Sequence, residues 1–66
     1  MIDIVVNGEP KHISAMTVSE LIRQHGLNAL TVIVELGGDI LAKDAYDDTT
    51  LESGDRIELI QFVGGG

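Results

Sequence analysis

Only one stretch of this chain carries a helix signal, and that limits the folds open to it. Thr17-Val18-Ser19-Glu20 has the form of a capping box. The Thr17 hydroxyl is placed to accept from the Glu20 amide, and the Glu20 carboxylate to reach back to the Thr17 amide. Val18, Leu21 and Ile22 follow at helical spacing and define one apolar face. The helix is expected to run to about His25, with Gly26 as a left-handed cap, Leu27 folded over the end and Met16 stapled onto Leu21. Everything that can pack with this helix reads as strand. A single helix covers only one face of a small sheet, so the other face must be left open.

The strands can be placed from their alternation and their turns. Ile2, Ile4 and Val6 alternate with Asp3 and Val5, the period of a strand. Asn7-Gly8 is the pair that best tolerates positive φ at both centres of a type I′ turn, so Glu9 to Ile13 is expected to return as the second arm of a hairpin. Pro10 has no amide hydrogen for a ladder, which places this arm at a sheet edge. Thr31 to Leu36 is a β-branched run suited to a buried strand. Gly37-Gly38 breaks it, and Asp39-Ile40-Leu41 is expected to return as a short strand. Lys43 to Thr50 reads as a solvated loop, Leu51 as tucked inward, and Ser53-Gly54-Asp55 as a tight turn. In the last strand, Arg56 to Val63, Ile57 and Leu59 are assigned to the helix side and Ile60 and Phe62 to the open face.

The order strand, strand, helix, strand, short strand, strand predicts an α+β β-grasp (ubiquitin-like) domain, a mixed sheet of four to five strands with one helix packed across one face. Residues 1–62 are expected to form that domain and 63–66 a flexible glycine tail. At 66 residues with no cysteine, neither a disulfide nor a zinc-thiolate site supplies a staple. The core must be aliphatic; with Tyr46 and Phe62 the only aromatic residues, it is expected to contain no large rings.

Several function classes are disfavoured. A net charge of −7 argues against nucleic acid, whose binding relies on Lys and Arg. No stretch approaches the ~20 apolar residues of a membrane span, and the N-terminus does not read as a signal peptide, so a cytoplasmic protein is expected. Gly37-Gly38 lacks the glycine spacing and following Lys of a phosphate loop. Asp44, Asp47 and Asp48 do not have the spacing of a calcium loop, and no metal site is expected. His12 and His25 fall in different elements and read as solvated side chains. There is no nucleophile–base pair.

That leaves the end of the chain. Val63-Gly64-Gly65-Gly66 carries almost no side-chain bulk. Without Cβ atoms it is thin enough for a narrow channel, and extended it carries its terminal carboxylate roughly 13 Å beyond the domain. Gly66 is then a reactive group and Val63, Gly64 and Gly65 its handle, with Ile60 and Phe62 an apolar docking patch beside it. The bland counterpart is a frayed terminus, with Phe62 packed over the sheet end; composition leaves both readings open.

The Asn-Gly hairpin, the Thr-Val-Ser-Glu-Leu helix start, the Val-Ile-Val-Glu strand and the final Ser-Gly-Asp-Arg-Ile-Glu-Leu-Ile-Gln-Phe-Val-Gly-Gly-Gly together resemble the ThiS family, the sulfur carriers of thiamine biosynthesis. The resemblance spans the chain, and Gly65-Gly66 match the family's terminal pair. It implies that a ThiF-type adenylyltransferase, using ATP and magnesium, joins the Gly66 carboxylate to AMP. A desulfurase system then supplies sulfur, and the resulting thiocarboxylate feeds a ThiG-type thiazole synthase. On this reading the chain binds no cofactor and is a carrier, not an enzyme. The related MoaD carriers of molybdopterin synthesis come second, because they tend to be longer and to carry a proline pair that is absent here. Three further classes compete with a sulfur carrier: a protein modifier that forms isopeptide bonds through Gly66, a β-grasp module that binds a protein without carrying anything, and a small enzyme.

Overall fold

The computed structural model describes residues 1–61. Asn7 (φ 49°) and Gly8 (φ 83°) form the expected turn between β1 (Ile2–Val6) and β2 (Glu9–Ile13). α1 (Val18–Gln24) follows, then β3 (Val32–Leu36), β4 (Asp39–Leu41) and β5 (Arg56–Gln61). All five strands join one sheet in the order β2-β1-β5-β3-β4. β5 pairs parallel with β1 and antiparallel with β3. The last strand in sequence is thus the middle strand in space, and β2, which carries Pro10, is an edge as expected. This is the β-grasp arrangement.

Both helix ends are built from local sequence. The Thr17 hydroxyl accepts from the Glu20 amide at 3.2 Å. The other half of the box differs from expectation: the Glu20 carboxylate accepts from the Thr17 hydroxyl, at 3.3 Å. Thr17 is held in a bridge to Thr50, and the flanking amide of Val18 donates to the Thr49 carbonyl. The segment before α1 is therefore clamped by the chain before β5. At the other end Gly26 has φ +69°. Its amide donates to Arg23 and that of Leu27 to Ile22, the paired bonds of a Schellman cap. Leu27 packs on the core, and so covers the helix end as expected.

The helix presents Val18, Leu21 and Ile22 to the sheet, where Ile4, Val6, Val34 and Ile57 are buried with them. Ile57 and Leu59 are buried while Ile60 is exposed, as the alternation along β5 requires. Leu51 points inward, at 1% exposure. The expectation of a core without large rings fails at Tyr46, which is 3% exposed. A 3-10 turn at Lys43–Ala45 tips the ring inward, and its hydroxyl donates to the Val32 carbonyl at 3.1 Å. A tyrosine is accepted in a core when its hydroxyl finds a partner, and here it does. The segment 43–50 is therefore a surface loop with one buried anchor.

Asn7 does more than turn the hairpin. β1 ends at Val6, but the ladder onto β5 continues: the Asn7 amide donates to the Ile57 carbonyl at 3.0 Å, and its side-chain oxygen accepts from the part-buried Leu59 amide at 2.8 Å. Asn7→Ala removes that acceptor and places a Cβ-bearing residue without a local hydrogen bond at positive φ. We expect a loss of about 2 kcal/mol in urea denaturation. Asn7→Asp, which keeps the acceptor, should lose less; equal losses would show that the side-chain bond contributes nothing.

Candidate functional site

The glycine tail grows out of the central strand, so the site begins with what holds β5. Its entry is set by the Ser53-Gly54-Asp55 turn. Gly54 adopts φ +94° and its amide donates to the Asp3 carbonyl at 2.8 Å, while the Asp3 amide donates to the Ser53 hydroxyl at 3.1 Å. The Asp55 carboxylate accepts from the Glu52 amide at 2.8 Å and closes the turn. The Val5 amide then donates to the Asp55 carbonyl, which starts the parallel pairing. The turn that looked diagnostic in sequence thus sets the register of β5 against β1.

The exit of β5 is fixed as firmly. Gln61, the last described residue, is paired with Val32 of β3. Its side-chain oxygen accepts from the Asn28 amide at 3.2 Å, which ties the loop after the helix to the root of the tail. The Val32 carbonyl accepts from the Lys43 ammonium at 2.9 Å as well as from the Tyr46 hydroxyl. The strand therefore reaches Gln61 in a defined direction. This second role of Gln61 had no signal in the sequence, because Asn28 and Gln61 belong to separate segments that only the sheet brings together.

Of the residues singled out for partner contact, Ile60 falls on the face away from the helix, opposite Ile33 of β3, and is 36% exposed. Phe62, Val63, Gly64, Gly65 and Gly66 lie outside the described residues. The open face is continued by Ile40 of β4, which is 75% exposed and opposite Glu35. Towards the hairpin the face becomes polar, with the His12 ring nitrogen 2.6 Å from the Asp3 carboxylate. His25 is at the helix end, its Nδ1 3.0 Å from the Leu21 carbonyl, so the structure does not bring the two histidines into one site. Nor do the three loop aspartates gather: Asp47 accepts from the Ser19 hydroxyl, and among the described residues no group of three His, Cys, Asp or Glu side chains is placed to hold a metal. No helix among them is long and apolar enough to cross a membrane.

The described residues thus offer a strand held at both ends, with a partly apolar open sheet face beside it that reaches Ile60. Comparison with known proteins agrees with that geometry. The model of the ThiS family matches residues 4–66. The sulfur carrier protein ThiS of Bacillus subtilis is 38% identical over 50 residues, covering 76% of this chain and 76% of that protein. The crystal structure of the thiamine biosynthesis protein ThiS from Geobacter metallireducens superposes with a TM-score of 0.81 at 36% identity, over 98% of this chain and 100% of that one. A thiazole synthase of Paramagnetospirillum magneticum is 38% identical over 64 residues. That match takes in 96% of this chain, which spans only 20% of the length of the synthase.

Proposed function

The chain belongs to the ThiS family, and from that membership we propose that it is a sulfur carrier for thiazole formation in thiamine biosynthesis, loaded at Gly66. The observation that carries the reading is the family match, which runs through the glycine tail to residue 66 and includes the strand that supports it.

The chemistry follows from what a carboxylate lacks. It is anionic and has no good leaving group, so it does not accept a sulfur nucleophile directly. A partner adenylyltransferase of the ThiF type, with ATP and magnesium, supplies the activation. A Gly66 carboxylate oxygen attacks the α-phosphorus of ATP and pyrophosphate departs, leaving an acyl adenylate. Hydrosulfide adds to the acyl carbon and AMP departs with the electron pair of the broken C–O bond; where a desulfurase system supplies the sulfur as a protein persulfide, the outer sulfur adds in the same way and a thiol then reduces the resulting acyl disulfide. The product is a thiocarboxylate, whose sulfur passes to a thiazole synthase. The chain is a co-substrate of these enzymes and supplies no catalytic group of its own. It works in the cytosol, where ATP for the first step is at hand.

Two features support this division of labour. The sheet holds the root of the tail at Gln61 through Val32 and Asn28, so the reacting end is presented from a fixed body. A thiazole synthase relative contains a segment similar to nearly the whole of this chain, which favours a synthase of that type as the acceptor of the sulfur.

The test is an intact mass measured after incubation with ATP, magnesium, sulfide and a ThiF-type adenylating enzyme active on its own carrier. The expected result is a gain equal to the exchange of one oxygen for sulfur, located at Gly66 by fragmentation. An unchanged mass, with that enzyme active on its own carrier, would overturn the proposal.

A further inference from the structure

The open face carries a charge arrangement that the fold itself does not need. Glu35 of β3 and Glu58 of β5 are direct partners in the antiparallel register, which puts their Cβ atoms about 5 Å apart on the same face. Like charges directly opposite on neighbouring strands destabilise a sheet. Both strands are interior, so neither side chain can swing away past a sheet edge. Among the described residues Lys11 pairs with Glu9, and the His12 ring is hydrogen-bonded to Asp3. Lys43 is drawn to the Val32 carbonyl, and Arg23 is on the helix. Arg56, two positions before Glu58 on the same face, is opposite Val5 and within ion-pair distance of neither glutamate.

Apolar side chains border this pair. On the next row towards the tail Ile33 faces Ile60, and on the same row Ile40 stands beside Glu35. A shallow groove of about 260 Å³ lined by Ile33, Ile40, Leu41, Ala42, Tyr46 and Lys43, whose ammonium is held by the Val32 carbonyl, opens at the β4 side. A negative seat with an apolar border, on the central strands that lead to the tail, suits a cation carried on an apolar surface.

We propose that this face docks a protein partner that seats an arginine or lysine between Glu35 and Glu58 and packs apolar side chains against Ile33, Ile40 and Ile60. The proposal rests on the carrier reading and gives its partner a chemistry. Charge argues against a second copy of this chain as the occupant. Two copies meeting at this face bring one Glu35–Glu58 pair towards another, in a chain whose net charge is −7. The repulsion within the pair lowers the stability of the free domain and is relieved when a cation enters, so stability and docking should move in opposite directions on mutation.

The double variant E35Q/E58Q tests this with the same ThiF-type adenylating enzyme. Its melting temperature is expected to rise by about 2–5 °C as the repulsion is removed. The KM for the carrier in the charging reaction is expected to rise about tenfold at low salt with kcat unchanged, and the salt dependence of that KM to flatten. Glu58→Asp, which keeps the charge, should retain most of the affinity. An unchanged KM for E35Q/E58Q, with the wild type charged normally, would overturn the docking proposal and leave the carrier reading intact. A wild type that is never charged would overturn both. Sedimentation showing a wild-type dimer dissolved by Ile60→Asp would assign the face to a second copy instead.

Discussion

Gly65→Val is expected to slow formation of the thiocarboxylate at least about a hundredfold while leaving the domain as stable as the wild type. The reason is steric. A chain without Cβ atoms enters a channel that admits a bare backbone, and a displacement of about 1 Å at a reacting centre is enough to cost a factor of about 10². Valine adds a branched Cβ one residue from the acyl carbon. The described core is assembled from the sheet, the helix and the loops that precede the tail, so the domain is expected to keep its stability. Single-turnover charging followed by intact mass measures the first half of the prediction, and urea denaturation the second. Gly65→Ala should fall between the two, and addition of one residue after Gly66 should abolish charging, because the reacting glycine carboxylate is then an amide. Wild-type rates for Gly65→Val would remove the case for a thin tail and with it the roles assigned to Gly64 and Gly65.

Ile57→Ala should have the largest effect on the fold. Ile57 has no exposed surface and is flanked by Val6 on one side and Leu36 on the other, so its side chain is held where the two halves of the sheet meet under the helix. Truncating such a residue loses the transfer term and leaves a cavity, about 2–5 kcal/mol in sum. Total stability for a chain of this size is about 3–10 kcal/mol, so the variant is expected to lose about half of it. Ile60→Ala is the informative control. It removes the same atoms from the same strand, but on the open face, and should change stability by about 0.5 kcal/mol or less while weakening engagement of the adenylating enzyme. Urea midpoints for the two variants separate these roles. A midpoint for Ile57→Ala near that of wild type would show that the sheet and helix do not share one core.

The two isoleucines also show why so much of the fold could be read in the chain. Alternation along a strand assigns Ile57 inward and Ile60 outward once one helix is known to cover one face, since side chains point to opposite faces with period two. The hairpin turn at Asn7-Gly8, the cap at Gly26 and the tight turn at Gly54 were equally legible, because positive φ is a demand that a few neighbouring residues meet by themselves. The glycine tail is conspicuous in sequence for a different reason, and its chemistry rests on the resemblance to the ThiS family; residues 62–66 lie outside the described structure.

Other features escaped because they depend on partners far away in the chain. Tyr46 looked like part of a polar loop; its burial is decided by the Val32 carbonyl, which accepts its hydroxyl. Asn7 read only as a turn residue, although its side chain extends the ladder to Leu59. The facing of Glu35 and Glu58 had no signal in either strand, because it is set by the register of β3 against β5. Local propensity and alternation already specified the elements, their ends and their inward faces, since those depend on neighbours a few residues apart. Placing β5 between β1 and β3, and thereby setting Glu35 against Glu58 and Gln61 beside Asn28, required the register of segments distant in sequence, which is set only when the sheet closes around a shared core.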